Sequence, residues 1–134
     1  MRNRRLFSLV VPLAVAMLGI TGTASGHHSY AMYDETKMLH AEATITEFYW
    51  GAPHSSISLM IMGEDGTQQN LTLQGASPVT IVKQGFTPRD FSPGTKVEVT
   101  WHPLLDGKLG GALMGLKLED GRTYVDNAFG NPSP

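Results

Sequence analysis

The sequence from Met38 to Trp50, MLHAEATITEFYW, alternates between apolar and polar side chains over most of its length. A period of two is typical of a β-strand with one buried face and one solvated face. The apolar positions of this alternation are Leu39, Ala41, Ala43 and Ile45. The aromatic run Phe48-Tyr49-Trp50 interrupts the pattern, which predicts a β-bulge or a strong bend there. We therefore expect a long first strand that turns a corner, as closing a barrel requires.

The same alternation predicts four further strands downstream. They cover residues 56–62, 68–73, 96–101 and 111–118, and a short extended piece follows around Tyr124 and Val125. A short helix is predicted between the third and fourth strands, because Ser77-Pro78 suits a helix start and Gly85 a helix end. The apolar face of this helix is predicted to be Val79, Ile81 and Val82.

This order of elements predicts the fold class. Five strands with one helix between the third and the fourth follow the plan of an OB-fold, a small Greek-key barrel. A β-sandwich of the immunoglobulin type would need about seven strands. The sequence therefore predicts an all-β protein with one short helix, built as a five-stranded OB-like Greek-key barrel.

Residues 1–26 have the composition of a secretory signal peptide. Arg2, Arg4 and Arg5 form a positive start, an apolar run from Leu6 to Ile20 follows, and small residues then offer cleavage after Ala24 or Gly26. The alternative is an uncleaved anchor, but the apolar run is shorter than the roughly 20 residues of a membrane-spanning helix. We predict a periplasmic or secreted protein with an OB-like domain at 27–130 and a disordered tail at 131–134.

The charge of the processed chain excludes some partners. Removing the three arginines leaves seven Lys and Arg against twelve Asp and Glu, a formal net charge of −5. This balance argues against nucleic acid and against an anionic membrane surface as partners, and no membrane span is expected after cleavage. The chain has no cysteine, so neither disulfides nor thiolate chemistry are available.

Several short motifs resemble a family of small exported bacterial proteins with a domain of unknown function. They begin with a His-His-Ser-aromatic segment at 27–30 and an aromatic-Asp pair at 33–34. The others are a Trp and Pro-His loop at 50–54, a helix start at 75–78, a Gly-aromatic-Thr step at 85–87 and a Pro-Gly turn at 93–94. The chain differs from the family pattern at Ala52, where Asn is usual, and at Ala76, an additional residue. The resemblance implies export and a shared fold but supplies no reaction.

The adjacent histidines His27 and His28 suggest a copper site at the processed terminus. Cleavage after Ala24 would place His27 third, where amine, backbone amides and imidazole form the square-planar nitrogen set that Cu(II) and Ni(II) prefer. Cleavage after Gly26 would make His27 the first residue, chelating copper through its amine and ring, with His54 or His28 completing three nitrogens. We predict a metal site of His27, His28 and His54, with copper as the candidate cofactor.

Other interpretations of these donors stay open. His27 and His28 are also compatible with a solvated terminus that binds metal only adventitiously, and His54 with a turn residue bonded to backbone. Met60 and Met62 share one strand face and suit Cu(I), although methionine in a small core is more often packing material. His40 with Glu42 is expected to be a solvated pair, and His102 to be structural.

Aromatic residues suggest a second kind of site. Tyr49 and Trp50, together with Trp101, could form a stacking platform for a partner protein or a small ligand, or could instead plug one end of the barrel. No nucleophile, base and orienting group occur in a recognisable motif, so no enzyme is predicted. The expected function is a periplasmic binding module for copper. The alternatives are a metal-free interaction domain that uses the aromatic face and, third, a copper oxidoreductase.

Overall fold

The computed structural model describes residues 31–128 and contains six strands, one α-helix and one 3₁₀ helix. The predicted signal peptide, His27, His28 and the predicted tail at 131–134 lie outside these residues. The elements in chain order are β1 (Leu39–Tyr49), β2 (Ser56–Met62), β3 (Gln68–Gln74), α1 (Pro78–Lys83), a 3₁₀ helix (Pro88–Phe91), β4 (Lys96–Pro103), β5 (Gly111–Leu118) and β6 (Thr123–Val125).

Five of the strands close into a barrel. The hydrogen-bonded order is β3-β2-β1-β4-β5, and a short parallel pairing of β3 with β5 completes the ring. All other pairings are antiparallel, and β6 is an additional strand on β5. This topology confirms the predicted all-β fold with one short helix and a five-stranded barrel. The predicted second strand (Ser56–Met62) and fifth strand (Gly111–Leu118) have the observed bounds.

The first strand bends because it serves two neighbours in succession. Its beginning pairs with β4 from Leu39 opposite Trp101, and its end pairs with β2 up to Tyr49 opposite Ser56. One extra residue, Thr46, stands between the paired positions Ile45 and Glu47. The predicted bulge at Phe48-Tyr49-Trp50 is therefore wrong in position. The irregularity lies at Thr46, just beyond Ala43 and Thr44, which pair with both β4 and β2, and the aromatic run follows it.

The core fills the barrel with the inward side chains of the alternating strands. Its fully buried members include Ile45, Ile57, Leu59, Leu71, Leu73, Val99, Leu113 and Leu116. Burying one such side chain contributes about 1.5–3 kcal/mol relative to leaving it exposed. Phe48 and Trp50 pack against this core, and Phe48 stacks on Phe91 with ring centroids 4.9 Å apart. These two residues thus help to fill the barrel.

The connection between β3 and β4 differs from the prediction in its packing. The helix is found as Pro78–Lys83, but only Ile81 is buried, while Val79 and Val82 are 62% and 57% exposed. The predicted three-residue apolar face is wrong because a helix of six residues presents only one position to the barrel. Phe86 and Phe91 provide the remaining buried contacts of this connection.

Candidate functional site

Two cavities of about 470 Å³ each lie at opposite ends of the barrel. One is lined by the starts of β3 and β4 and the ends of β2 and β5. The other lies where β2 and β5 begin and β3 ends, under the β1–β2 loop and the β4–β5 loop. We call the first the charged cavity and the second the loop-end cavity.

The charged cavity has a mixed ionic rim. Its lining includes Glu42, Lys96, Glu98, Lys117 and Glu119, and the Lys117 Nζ lies 3.0 Å from the Glu98 Oε1 in an exposed ion pair. Exposed pairs of this kind contribute little to binding or stability. The rim therefore carries solvated charges of both signs, and it does not select ligands of one sign of charge.

Met60 and Met62 also line the charged cavity, on the same face of β2. Met60 is half-buried and Met62 is exposed, so neither is core material in the way Met114 is. Within residues 31–128, no three His, Asp or Glu side chains are grouped to hold a metal ion. A metal site with three such side chains would therefore need donors from other parts of the chain.

The loop-end cavity is formed by loops that meet the N-terminal segment. His54 and Ser55 come from the β1–β2 loop, Leu104 and Leu109 from the β4–β5 loop. The β1–β2 loop contains a cis peptide bond between Ala52 and Pro53. In OB-folds these two loops frame the surface that binds ligands. The cavity thus lies where the fold class places its ligand sites.

The segment before β1 is fastened to the wall of this cavity. Tyr33 forms an isolated bridge with Leu104, and the Leu105 N–H donates to the Met32 carbonyl at 2.9 Å. The Tyr33 hydroxyl donates to the Gln74 Oε1 at 2.7 Å. The Tyr33 side chain is buried, and this burial raises the pKa of its phenol. Met32, Tyr33 and His54 therefore line one cavity at this end of the barrel.

The side chain of His54 is oriented by backbone. Its Nδ1 lies 3.3 Å from the Gly75 carbonyl oxygen, in the loop that follows β3. When Nδ1 carries the proton and donates to this carbonyl, the Nε2 of the neutral ring carries the lone pair. The alternative interpretation of His54, a turn residue bonded to backbone, describes this contact. A metal-binding histidine makes the same kind of contact through its other nitrogen.

A buried carboxylate that the sequence analysis did not single out holds the loop carrying Gly75. Asp126 Oδ2 accepts from the Ala76 N–H at 2.7 Å and from the Tyr124 hydroxyl at 2.7 Å. Its Oδ1 accepts from the Ala128 N–H at 2.9 Å. Burial raises the pKa of Asp126 despite these donors and the nearby His54, which all lower it. The one hint in the sequence is the spacing Tyr124-x-Asp126, which places both residues on one face of an extended segment.

Ser55 lies beside this carboxylate. A Cβ at Gly75 would stand 2.9 Å from the Asp126 Oδ2 and 3.0 Å from the Ser55 Oγ, so glycine allows both side chains to approach the backbone. The Ser55 hydroxyl is buried and has no hydrogen-bond partner among residues 31–128. The backbone of Ser55 pairs with Gly75 and Ala76 in both directions. His54 is thus carried on a tightly bonded segment.

The three predicted aromatic ligand residues are not brought together. Tyr49 is 63% exposed and lines the loop-end cavity, with its ring against Gly51. Trp50 packs against the core, and Trp101 is only 5% exposed, opposite Leu39 at the other end of β1. Of the three, Tyr49 alone lies beside His54 in the cavity.

The remaining histidines lie elsewhere. His40 is exposed with Glu42 on the outer face of β1, the face the sequence predicts for this pair. His102 is buried, and its Nδ1 lies 2.6 Å from the Lys37 carbonyl oxygen, which gives it the predicted structural contact.

The fold and this geometry define a small β-barrel of OB-like topology with a cavity under its loops. The chain belongs to DUF6152, a family of unknown function, which it matches over residues 15–113. No curated protein and no solved structure matches it. Among residues 31–128, no helix has the length and apolar character needed to cross a membrane.

Proposed function

We propose that this protein is a periplasmic binding module that takes Cu(II) at the loop end of the barrel, through His27, His28 and His54. The observation that carries the proposal is the course of the N-terminal segment. Met32 and Tyr33, which follow the two histidines closely in sequence, line the same cavity as His54.

The length of the chain limits how far the histidines can lie from this cavity. His28 is three residues before Ala31 and His27 is four residues before it. A fully extended chain spans at most about 3.6 Å per residue, so the Cα of His27 lies within about 15 Å of the Cα of Ala31. This bound follows from the chain length alone, and it allows both histidines to reach the end of the barrel that holds His54.

The donor chemistry also suits copper. Imidazole nitrogens and the α-amine released by cleavage are nitrogen donors of the type that Cu(II) prefers in a tetragonal site. The Gly75 carbonyl favours the His54 tautomer whose Nε2 has the lone pair needed for coordination. Because the α-amine exists only after signal cleavage, the complete site would assemble only in the exported protein.

The first test is a calorimetric Cu(II) titration of the exported protein, followed by electron paramagnetic resonance of the bound ion. We expect His54→Gln to weaken Cu(II) binding by about tenfold or more and to remove one nitrogen from the spectrum. His40→Gln is the matched control, because His40 is exposed on the outer face of β1 away from the cavity. Equal affinity of wild type and His54→Gln would contradict the proposed site.

A second test concerns the amino terminus. The intact mass of the exported protein identifies the first residue, and the mass with copper counts the bound ions. We expect one added residue before the mature terminus to weaken Cu(II) binding, because it moves the amine out of its chelating position. Binding should also weaken below pH 6, since amine and imidazole donors bind protons in place of metal. Unchanged affinity in the extended protein would contradict a role for the amine.

A further inference from the structure

The residues around the loop-end cavity favour a second kind of ligand, which does not depend on copper. Among residues 31–128, no Asp, Glu, Lys or Arg lines the cavity. A charged ligand would lose hydration there without gaining an opposite charge, which is costly. These lining residues therefore offer no opposite charge to a charged organic ligand, in contrast to the charged cavity at the other end, whereas a metal ion would be held by nitrogen donors.

The walls of the cavity are suited to apolar and planar surfaces. Met32, Tyr49 and Leu109 stand at its mouth with about half or more of their surface exposed. The Tyr49 ring lies against Gly51, and a Cβ at that position would come within 2.0 Å of the Tyr49 Cε1. Exposed apolar side chains grouped around a concavity are typical of ligand-binding grooves.

The other side of the cavity is polar without being charged. Gly110 and Gly111 present backbone there, and Ser56, Thr72 and Gln74 contribute hydroxyl and amide groups. Such groups can hydrogen-bond to a hydroxyl, a carbonyl or an amine of a neutral ligand. The volume of about 470 Å³ lies in the range of small-molecule pockets, about 300–1,000 Å³, and the cavity is widely open to solvent.

We infer that the loop-end cavity binds an uncharged, planar organic molecule, with its rings against Tyr49 and Leu109 and its polar edge towards Gly110 and Gln74. The size of the cavity and the absence of charged lining residues favour this small-molecule occupant over a protein surface. This site lies in the same place as the proposed copper site. It does not depend on copper, because its binding groups all belong to residues 31–128.

The test uses two fluorescent probes that differ by one charge, with EDTA present to remove metal. N-phenylnaphthylamine is uncharged, and anilinonaphthalenesulfonate carries the same rings with a sulfonate. We expect the full exported protein to bind the uncharged probe with a fluorescence increase and to bind the sulfonate about tenfold more weakly or worse.

Two variants locate the probe. Leu109→Glu places a charge at the mouth of the cavity and should weaken binding of N-phenylnaphthylamine by about tenfold or more. Val82→Glu is the matched control, because Val82 is an exposed apolar residue of α1 outside the cavity. Circular dichroism confirms that both variants fold. Absence of binding by the uncharged probe, equal binding of the two probes, or equal binding by the two variants would overturn the proposal. Absence of binding would leave the apolar mouth to a protein partner.

Discussion

The candidate site depends on a few residues whose contacts are unusual for their type. Asp126 is a fully buried carboxylate, and it accepts three hydrogen bonds from Ala76, Tyr124 and Ala128. Carboxylates are rarely buried unless such donors compensate for the lost hydration. The bond to Ala76 fixes the loop whose Gly75 carbonyl meets His54, so Asp126 joins the end of β6 to the cavity.

Asp126→Ala should therefore destabilise the protein strongly. The change leaves three donors without their acceptor, and each unpaired buried donor costs about 1–3 kcal/mol. We expect the free energy of unfolding in urea to fall by about 3 kcal/mol or more.

Ser55→Ala is the matched control for this substitution. Ser55 is equally buried, but its hydroxyl has no partner among the described residues, so its removal should change the stability by less than about 1 kcal/mol. A large loss in Ser55→Ala, or a small loss in Asp126→Ala, would contradict the hydrogen bonding described.

At the scale of elements, the barrel closes through a short pairing that includes a crowded glycine. Gly111 begins β5 and lies opposite both Leu73 of β3 and Pro103 of β4. A Cβ at this position would stand 2.1 Å from the His102 carbonyl oxygen and 2.7 Å from the Trp101 Cδ1. The backbones of β4 and β5 must approach closely here for β3 to complete the ring.

Gly111→Ala is expected to lower the free energy of unfolding by about 3 kcal/mol or to prevent folding, because the clash is with backbone. Gly63→Ala is the matched control, since the nearest atoms there belong to the flexible side chains of Gln69, which is half-buried, and Asp65, which is exposed. Urea unfolding followed by tryptophan fluorescence measures both variants. Similar stability of the two variants would contradict the closure through Gly111.

A second contact between elements links the 3₁₀ helix to the turn before β6. Asp90 accepts from the Thr87 N–H and the Thr87 hydroxyl, both at 2.8 Å, and pairs with the Arg122 guanidinium. The Arg122 guanidinium, first, and Thr87 hold the pKa of Asp90 at about 2. A carboxyl whose pKa is lowered on folding stabilises the protein above its unfolded pKa and loses that contribution as the pH falls.

Asp90→Asn should consequently cost stability in a pH-dependent way. After allowance for solvent screening, we expect a loss of about 1 kcal/mol at pH 7. The difference from wild type should shrink as the pH falls from about 4 towards 2. Over this range the wild-type carboxyl takes up a proton and becomes neutral, as the Asn amide already is. Urea unfolding at a series of pH values measures it, with Asp106→Asn in an exposed turn as the control. A deficit that stays constant down to pH 2 would contradict the electrostatic origin.

For the whole molecule, the fold was more predictable than the site. Alternation places Ile57, Leu59 and Ile61 inward whatever the long-range pairing, so the strands follow from the sequence alone. The bulge at Thr46 does not, because it depends on how β1 pairs with β2 once its pairing with β4 has ended at Thr44. The contacts of Val79 and Val82 likewise depend on how far α1 lies from the barrel.

The candidate site was only partly predictable because its residues come from distant parts of the chain. His54 and Tyr49 were recognisable as a loop histidine and an aromatic residue. Their neighbours Tyr33, Leu104 and Leu109 come together only when the β4–β5 loop folds onto the N-terminal segment. Asp126 carries no motif and becomes notable only through its burial.

We propose that copper held by the N-terminal histidines lies at the loop end of the barrel. Paramagnetic Cu(II) broadens the amide signals of nearby residues in a nitrogen–proton correlation spectrum of the exported protein, so the measurement locates the ion directly. With one equivalent of Cu(II), we predict that the signals of Tyr33, His54 and Leu109 broaden first, while those of Met62 and Glu119 at the charged cavity stay sharp. Broadening centred on Met62 and Glu119, or sharp signals at His54 while copper is bound, would contradict the account.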